Sequence, residues 1–112
     1  MIEQIIYDYL RACGVAAYTE IPEGGAAPPF VVIERTGGGE TDHIRRATVA
    51  VQSYGASPYL AAQLNGLVKD LMDEIIGRPE IAACRLNSDY NYTDTTKKVY
   101  RYQAVYDLAY YD

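Results

Sequence analysis

A chain of 112 residues is near the common size of one domain, and nothing in it argues for two. It can bury on the order of two-thirds of its unfolded surface, enough for one modest core without covalent staples. A formal net charge of −5, from 10 Lys plus Arg against 15 Asp plus Glu, argues against a nucleic-acid binder that works by neutralising phosphates.

The first predicted element is a helix over 2–12. Ile2, Ile5, Ile6, Tyr9 and Leu10 recur at the spacing of one apolar helical face, with Glu3, Asp8 and Arg11 off it, and Gly14 supplies a stop. Residues 15–21 read as a strand, and the prolines and glycines of 22–29 as a loop. Residues 30–36 are a β-branched strand. A second strand over 44–54 alternates cleanly, with Ala47, Val49 and Val51 on one face and Arg46, Thr48 and Gln52 on the other. Residues 37–43 between them, Gly37-Gly38-Gly39-Glu40-Thr41-Asp42-His43, read as the adaptable tip of a β-hairpin.

Ser57-Pro58 marks a helix start, with serine as cap and proline at the first helical position. Leu60, Leu64, Leu67, Val68, Leu71 and Ile75 predict one continuous apolar stripe, ended by Gly77 and Pro79. Residues 81–87 and 98–111 then read as strands around a polar link over 88–96. The order α-β-β-β-α-β-β predicts a single α+β domain over 1–112, an antiparallel sheet of about five strands with two helices on one face.

The glycine run fails as a phosphate cradle. A P-loop needs Lys and Ser/Thr directly after the glycines and then a helix, whereas Glu40, Thr41, Asp42 and His43 follow here, and then a strand. His43, the sole histidine, has no serine or cysteine nucleophile placed with it. The carboxylates show no metal-loop spacing. No catalytic, cofactor-binding or metal-ligating residue is assigned, and the expectation is a protein that is not an enzyme. Cys13 and Cys84 have neither metal nor redox spacing. Count alone permits a disulfide, but two small buried or half-buried free thiols fit a reducing cytoplasm better. Met1-Ile2-Glu3-Gln4 opens no signal segment and no window approaches a membrane span, so a soluble cytoplasmic protein is expected.

Tyrosine, present 12 times, is the more informative residue. Tyr100, Tyr102, Tyr106 and Tyr110 share the even face of the last strand with Ala104 and Leu108. That face is the core face in the simplest reading. Four hydroxyls in one row, each needing a partner when buried, point instead to a margin or an interface. Residues 30–33 are apolar on both faces, while two helices cover only one. The surplus predicts contact with another subunit or partner.

Glu20-Ile21-Pro22, the Pro/Gly loop and Phe30-Val31-Val32-Ile33-Glu34-Arg35-Thr36-Gly37-Gly38-Gly39 together resemble the start of phage tail terminator proteins, the tail-completion or head-tail joining proteins of long-tailed phages and prophages. Val49-Ala50-Val51-Gln52-Ser53-Tyr54-Gly55-Ala56-Ser57 resembles the family's strand that ends in an aromatic before a capped helix. Tyr54 stands where tryptophan is more usual, and Ala61-Ala62-Gln63-Leu64 resembles the start of that helix. Ser88-Asp89-Tyr90-Asn91-Tyr92-Thr93-Asp94 and Arg101-Tyr102-Gln103-Ala104-Val105-Tyr106-Asp107-Leu108 resemble its closing loop and strand. The resemblance implies a structural virion protein, without cofactor, that assembles in the host bacterial cytoplasm. Its expected partners are its own copies in a ring, usually a hexamer, the tail tube protein, and the head connector or head-closure protein. It implies no membrane contact and no sequence-specific nucleic-acid binding, with DNA passing through the ring. The expected contact residues are Arg35, Thr36, Gly37, Gly38, Gly39, Glu40, Thr41, Asp42 and His43 on one loop, and Asp89, Tyr90, Asn91, Tyr92 and Asp94 on another, with Tyr100 and Tyr102 beside the second. The alternatives are another neck or tail component, head-closure or tail-tube-like, and a small ligand-binding α+β domain.

Overall fold

The computed structural model describes residues 1–41 and 43–111, and for Glu40 and Thr41 the backbone alone. Helix α1 (Ile2–Ala12) forms where the apolar spacing places it, burying Ile2, Ile6, Tyr9 and Leu10. Its partner layer is a five-stranded sheet in the order β1-β2-β3-β5-β4. The strands are β1 (Ala17–Tyr18), β2 (Phe30–Thr41), β3 (Ile44–Gly55), β4 (Ile81–Asn91) and β5 (Tyr100–Tyr110). Helix α2 (Pro58–Asp73) and a short 3-10 turn, Ile75–Gly77, lie between β3 and β4. The fold is α+β in the expected element order. The sheet is mixed rather than purely antiparallel, because β1 pairs parallel with Val31 and Val32. Residues 19–29 make the crossover that a parallel pair requires.

Both helices cover one face. Helix α1 lies over β1 and β2, and α2 over β3 and β5. The core joins Ile2, Ile6 and Leu10 of α1 and Val68 and Met72 of α2 to Val31, Ile33, Val49, Val51, Ala104 and Tyr106 of the sheet. The Tyr9 hydroxyl donates to Leu71 O and ties the helices together. Arg11 donates from Nη2 to Ala17 O at 2.6 Å and ties α1 to β1. The even face of β5 is therefore the core face. Tyr106 and Tyr110 are buried, which corrects their assignment to a margin, while Tyr100 and Tyr102 are half-buried. Among the described residues the Tyr106 hydroxyl finds no partner, and burial pushes its pKa up.

Three further expectations are corrected. Strand β2 does not stop at Thr36 but runs through the glycines. Gly37, Gly38 and Gly39 pair with Thr48, Ala47 and Arg46 after a bulge at Thr36. They are rungs of the ladder, not a free tip, because β3 is long enough to pair with them. Strand β4 likewise runs on into the supposed polar link as far as Asn91, with β5 as its template. Strand β1 is two residues rather than seven, since the chain turns away at Thr19 to cross the sheet.

The last correction concerns α2. Ser57 caps it as expected, its Oγ accepting from Leu60 N at 3.2 Å, but Leu60 and Leu67 are exposed, at 44% and 48%. Ala61, Asn65, Val68 and Met72 are the buried positions. Gly55 explains the rotation. A Cβ built on it would lie 2.3 Å from Ala61 N, so the first turn of α2 sits directly on the end of β3. Gly55→Ala is expected to cost about 1–3 kcal/mol by overpacking against backbone, read as a lower urea midpoint at unchanged slope. Tyr106→Phe is expected to act oppositely, raising stability by about 1 kcal/mol by removing an unpaired buried hydroxyl.

Candidate interaction surfaces

The register separates the two groups of expected contact residues. Thr41 pairs with Ile44 at one end of the sheet, and Tyr92 N donates to Arg101 O at the other. The molecule is elongated, 44 × 27 × 25 Å, so these are opposite ends of its long axis. Arg35, Thr36, Gly37, Gly38, Gly39, Glu40 and Thr41 belong to β2, and Asp89, Tyr90 and Asn91 to β4. They are strand residues, not projecting loops. Asp42 lies outside the described residues. His43 is exposed and has a left-handed φ of 68°. Only Tyr92 and Asp94 lie in the link before β5, where Asp94 pairs with Val99 and its carboxylate accepts from Thr96 N and Lys97 N.

On the helix-free face, β2, β3, β5 and β4 bring together a closed network of side chains. Phe30 stacks on Tyr54 at 4.5 Å, with Tyr18 edge-on to Phe30 at 5.8 Å. The Arg101 guanidinium lies over Tyr54 (5.8 Å) and Tyr92 (4.6 Å), and its Nε donates to Tyr92 O at 2.8 Å. Tyr92 meets Tyr90 edge-on at 6.0 Å, and the Tyr90 hydroxyl accepts from Gln103 Nε2. Gln103 Oε1 accepts from Gln52 Nε2 at 2.8 Å, and Gln52 Oε1 from the Tyr54 hydroxyl at 3.4 Å. The circuit thus returns to its start. It offers stacked planes and satisfied amides, and it places no nucleophile beside a base.

Phe30 and Val32, on the helix-free face, belong to the apolar surplus expected to meet a partner, and Tyr54 packs with them. They are instead buried by the chain itself, with Tyr18, Ala26 and Val99 packed against them. Hydrophobic surface left for a partner lies elsewhere. On the outer side of α2, Leu60, Leu64 and Leu67 line a groove of about 530 Å³ against Pro28 and Pro29. On the outer edge of β4, Leu86 and Tyr90 are both more than 40% exposed.

Two carboxylates organise the rest of the surface. Asp107, on the helix-free face, accepts from Thr48 Oγ1 at 3.1 Å and Asn87 Nδ2 at 2.9 Å, with Arg85 Nη2 at 3.7 Å. The Asn87 bond, opposed by partial burial and aided by Thr48 and Arg85, lowers its pKa. Beside it an open groove of about 670 Å³ runs between Gly38, Gly39, Arg46 and Arg85. Asp89, on the helix face, accepts from Asn65 Nδ2 and Lys69 Nζ, each at 2.6 Å. Burial pushes its carboxyl up, but the Lys69 and Asn65 bonds together outweigh burial and hold it below the ordinary range. Cys84 is a half-buried free thiol raised to about 11 by burial, while Cys13 is free and exposed, not buried as expected.

Sequence reading missed Arg101, Gln52, Gln103, Asn65, Lys69 and Asp107. A weak signal was present in the alternating polar positions 101, 103 and 107 of β5, but their partners are about 50 residues away in β3. Comparison with protein-family models finds no match, and comparison with curated proteins finds none either. Among the described residues, no helix is long and apolar enough to cross a membrane.

Asp89 and Asp107 carry folded pKa values below the ordinary 3.8. Their stabilisation is complete above that value and disappears as pH falls through the lowered ones. Urea midpoints are expected to hold steady near neutrality and to drop below about pH 4. The drop should flatten in the Asp89→Asn, Asp107→Asn double variant.

Proposed function

We propose that this chain is a structural protein of a long-tailed phage or prophage, a tail terminator. Copies form a ring on the head-proximal end of the tail tube, stop its growth and present a surface to the head connector. The order of sequence motifs supports this reading. Val49 to Ser57 spans the β3–α2 junction, where Gly55 receives the helix, and Asp89 to Asn91 closes the edge strand β4.

The observation that carries the reading is the distribution of unsatisfied surface. A ring contact is heterologous, so each subunit must offer two different surfaces on different sides. Here the β4 edge lies at one side of the sheet and the open part of β2 at the other, with the leucine groove of α2 on the helix layer. Net charge of −5 suits a ring through which DNA passes, since acidic walls do not retain phosphates. The role needs no cofactor and no catalysis. Its partners are other copies, the tail tube protein, and the head connector or head-closure protein.

Light scattering and negative-stain imaging test the reading, on the purified chain and on the chain mixed with tail tube protein. Closed rings, hexameric in the virion, and shortened tubes are expected. A monomer in every mixture, with tube length unchanged, would falsify the proposal.

A further inference from the structure

We infer that copies of this chain join edge to edge. The outer edge of β4 in one copy pairs antiparallel with the outer edge of β2 in the next, and the sheet continues from subunit to subunit. The occupant of each edge is a second copy of this chain. Closure of the row into a ring rests on the reading given under Proposed function.

Two long edges are open. Strand β4 has 11 residues and pairs only with β5. Strand β2 has 12 residues, of which β1 covers only Val31 and Val32. Unpaired edges of this length are templates for another strand unless something blocks them. Neither strand contains a proline; the register is interrupted at Thr36 in β2 and at Ala82 and Asn87 in β4.

The polarity is right. Strand β2 runs opposite to β3, β3 to β5, and β5 to β4, so β4 and β2 point in opposite directions. In a cyclic assembly with its axis along the strands, β4 of one copy meets β2 of the next antiparallel.

The heights match as well. Cross-strand rows run Ile33–Val51–Ala104–Asp89 and Gly39–Arg46–Ala109–Ala83. Residues 33–39 of β2 and 83–89 of β4 therefore stand level within one subunit, and lateral repetition brings them together without a shift. Strand β1 sits outside β2 at the height of Val31 and Val32, and β4 ends at that same height with Tyr90 and Asn91. The gap that β1 leaves on β2 is thus the length of β4 that would fill it. Level pairs carry no like charges: Glu34 faces Ser88, Arg35 faces Leu86, and Gly37 faces Arg85. The three glycines add no side-chain bulk along the β2 edge.

Disulfide trapping tests this in the full chain with Cys13→Ser and Cys84→Ser. Combining Glu34→Cys with Ser88→Cys should give, under mild oxidation, a ladder of linked species ending at the closed ring, while either substitution alone stays unlinked. Amides of 33–41 and 81–89 should exchange more slowly in the assembled form. Leu86→Lys alters an exposed side chain and should leave the circular dichroism unchanged while abolishing the ladder. Rings without the ladder and without protection of both strands overturn the edge pairing but leave the ring reading intact. A chain that stays monomeric at every concentration, alone and with tube protein, overturns the pairing. A ladder and protection with no effect on tube growth uphold the pairing and instead remove the terminator role.

Discussion

The contact of Gly55 with the first turn of α2 governs the arrangement of this molecule. Because Gly55 has no side chain, Ala61 N approaches to a distance that any Cβ would forbid. This seats the helix on β3 with Ala61, Asn65, Val68 and Met72 inward. The rotation has two consequences. Leu60 and Leu67 are turned out of the core toward Pro28 and Pro29. Asn65 is turned in, where its amide, with Lys69 one turn on, holds the Asp89 carboxylate. That clamp fixes the far end of β4, an edge strand with one strand neighbour.

The two faces of the sheet are built by different physics. The helix face is a hydrophobic core in which size and shape decide stability. The other face is held by directional contacts that cross from strand to strand: Tyr54, Arg101 and Tyr92 in one row, Gln52, Gln103 and Tyr90 in the next. Stacked guanidinium and paired amides tolerate water without relying on burial. An exposed face of this kind can be rigid without being sticky. The apolar residues that would have made it sticky, Phe30 and Val32, lie at the end where the 19–29 segment crosses.

The sequence made α1, the Ser57-Pro58 start and the alternation of β3 legible, because each depends on neighbours a few residues away. It concealed features that depend on distant partners. Apolar spacing could not separate Val68 from Leu67, since both belong to a stripe wider than the sheet can cover. Gly37 to Gly39 read as a turn because glycine weakens a strand in isolation. Pairing with Thr48, Ala47 and Arg46 overrides that preference. The tyrosines of β5 were ambiguous because a tyrosine is both an apolar body and a hydroxyl, and only the packing of α2 shows that Tyr106 lies in the core, its hydroxyl without a partner among the described residues.

Placing the glycines in the ladder alters what they can do. At a hairpin tip they would supply freedom of motion. Along the open edge of β2 they supply bare backbone. Gly38 is constrained in addition, since a Cβ there would lie 2.8 Å from Arg46 O and closer still to the Arg35 guanidinium. Arg35 itself curls back over the bulge, its Nε donating to Gly37 O at 3.1 Å. Its guanidinium occupies the space on the sheet face that a side chain at Gly38 would need. The same three residues that fail as a phosphate cradle thus supply backbone along the open edge, with Arg35 packed over Gly38 on the face beside it.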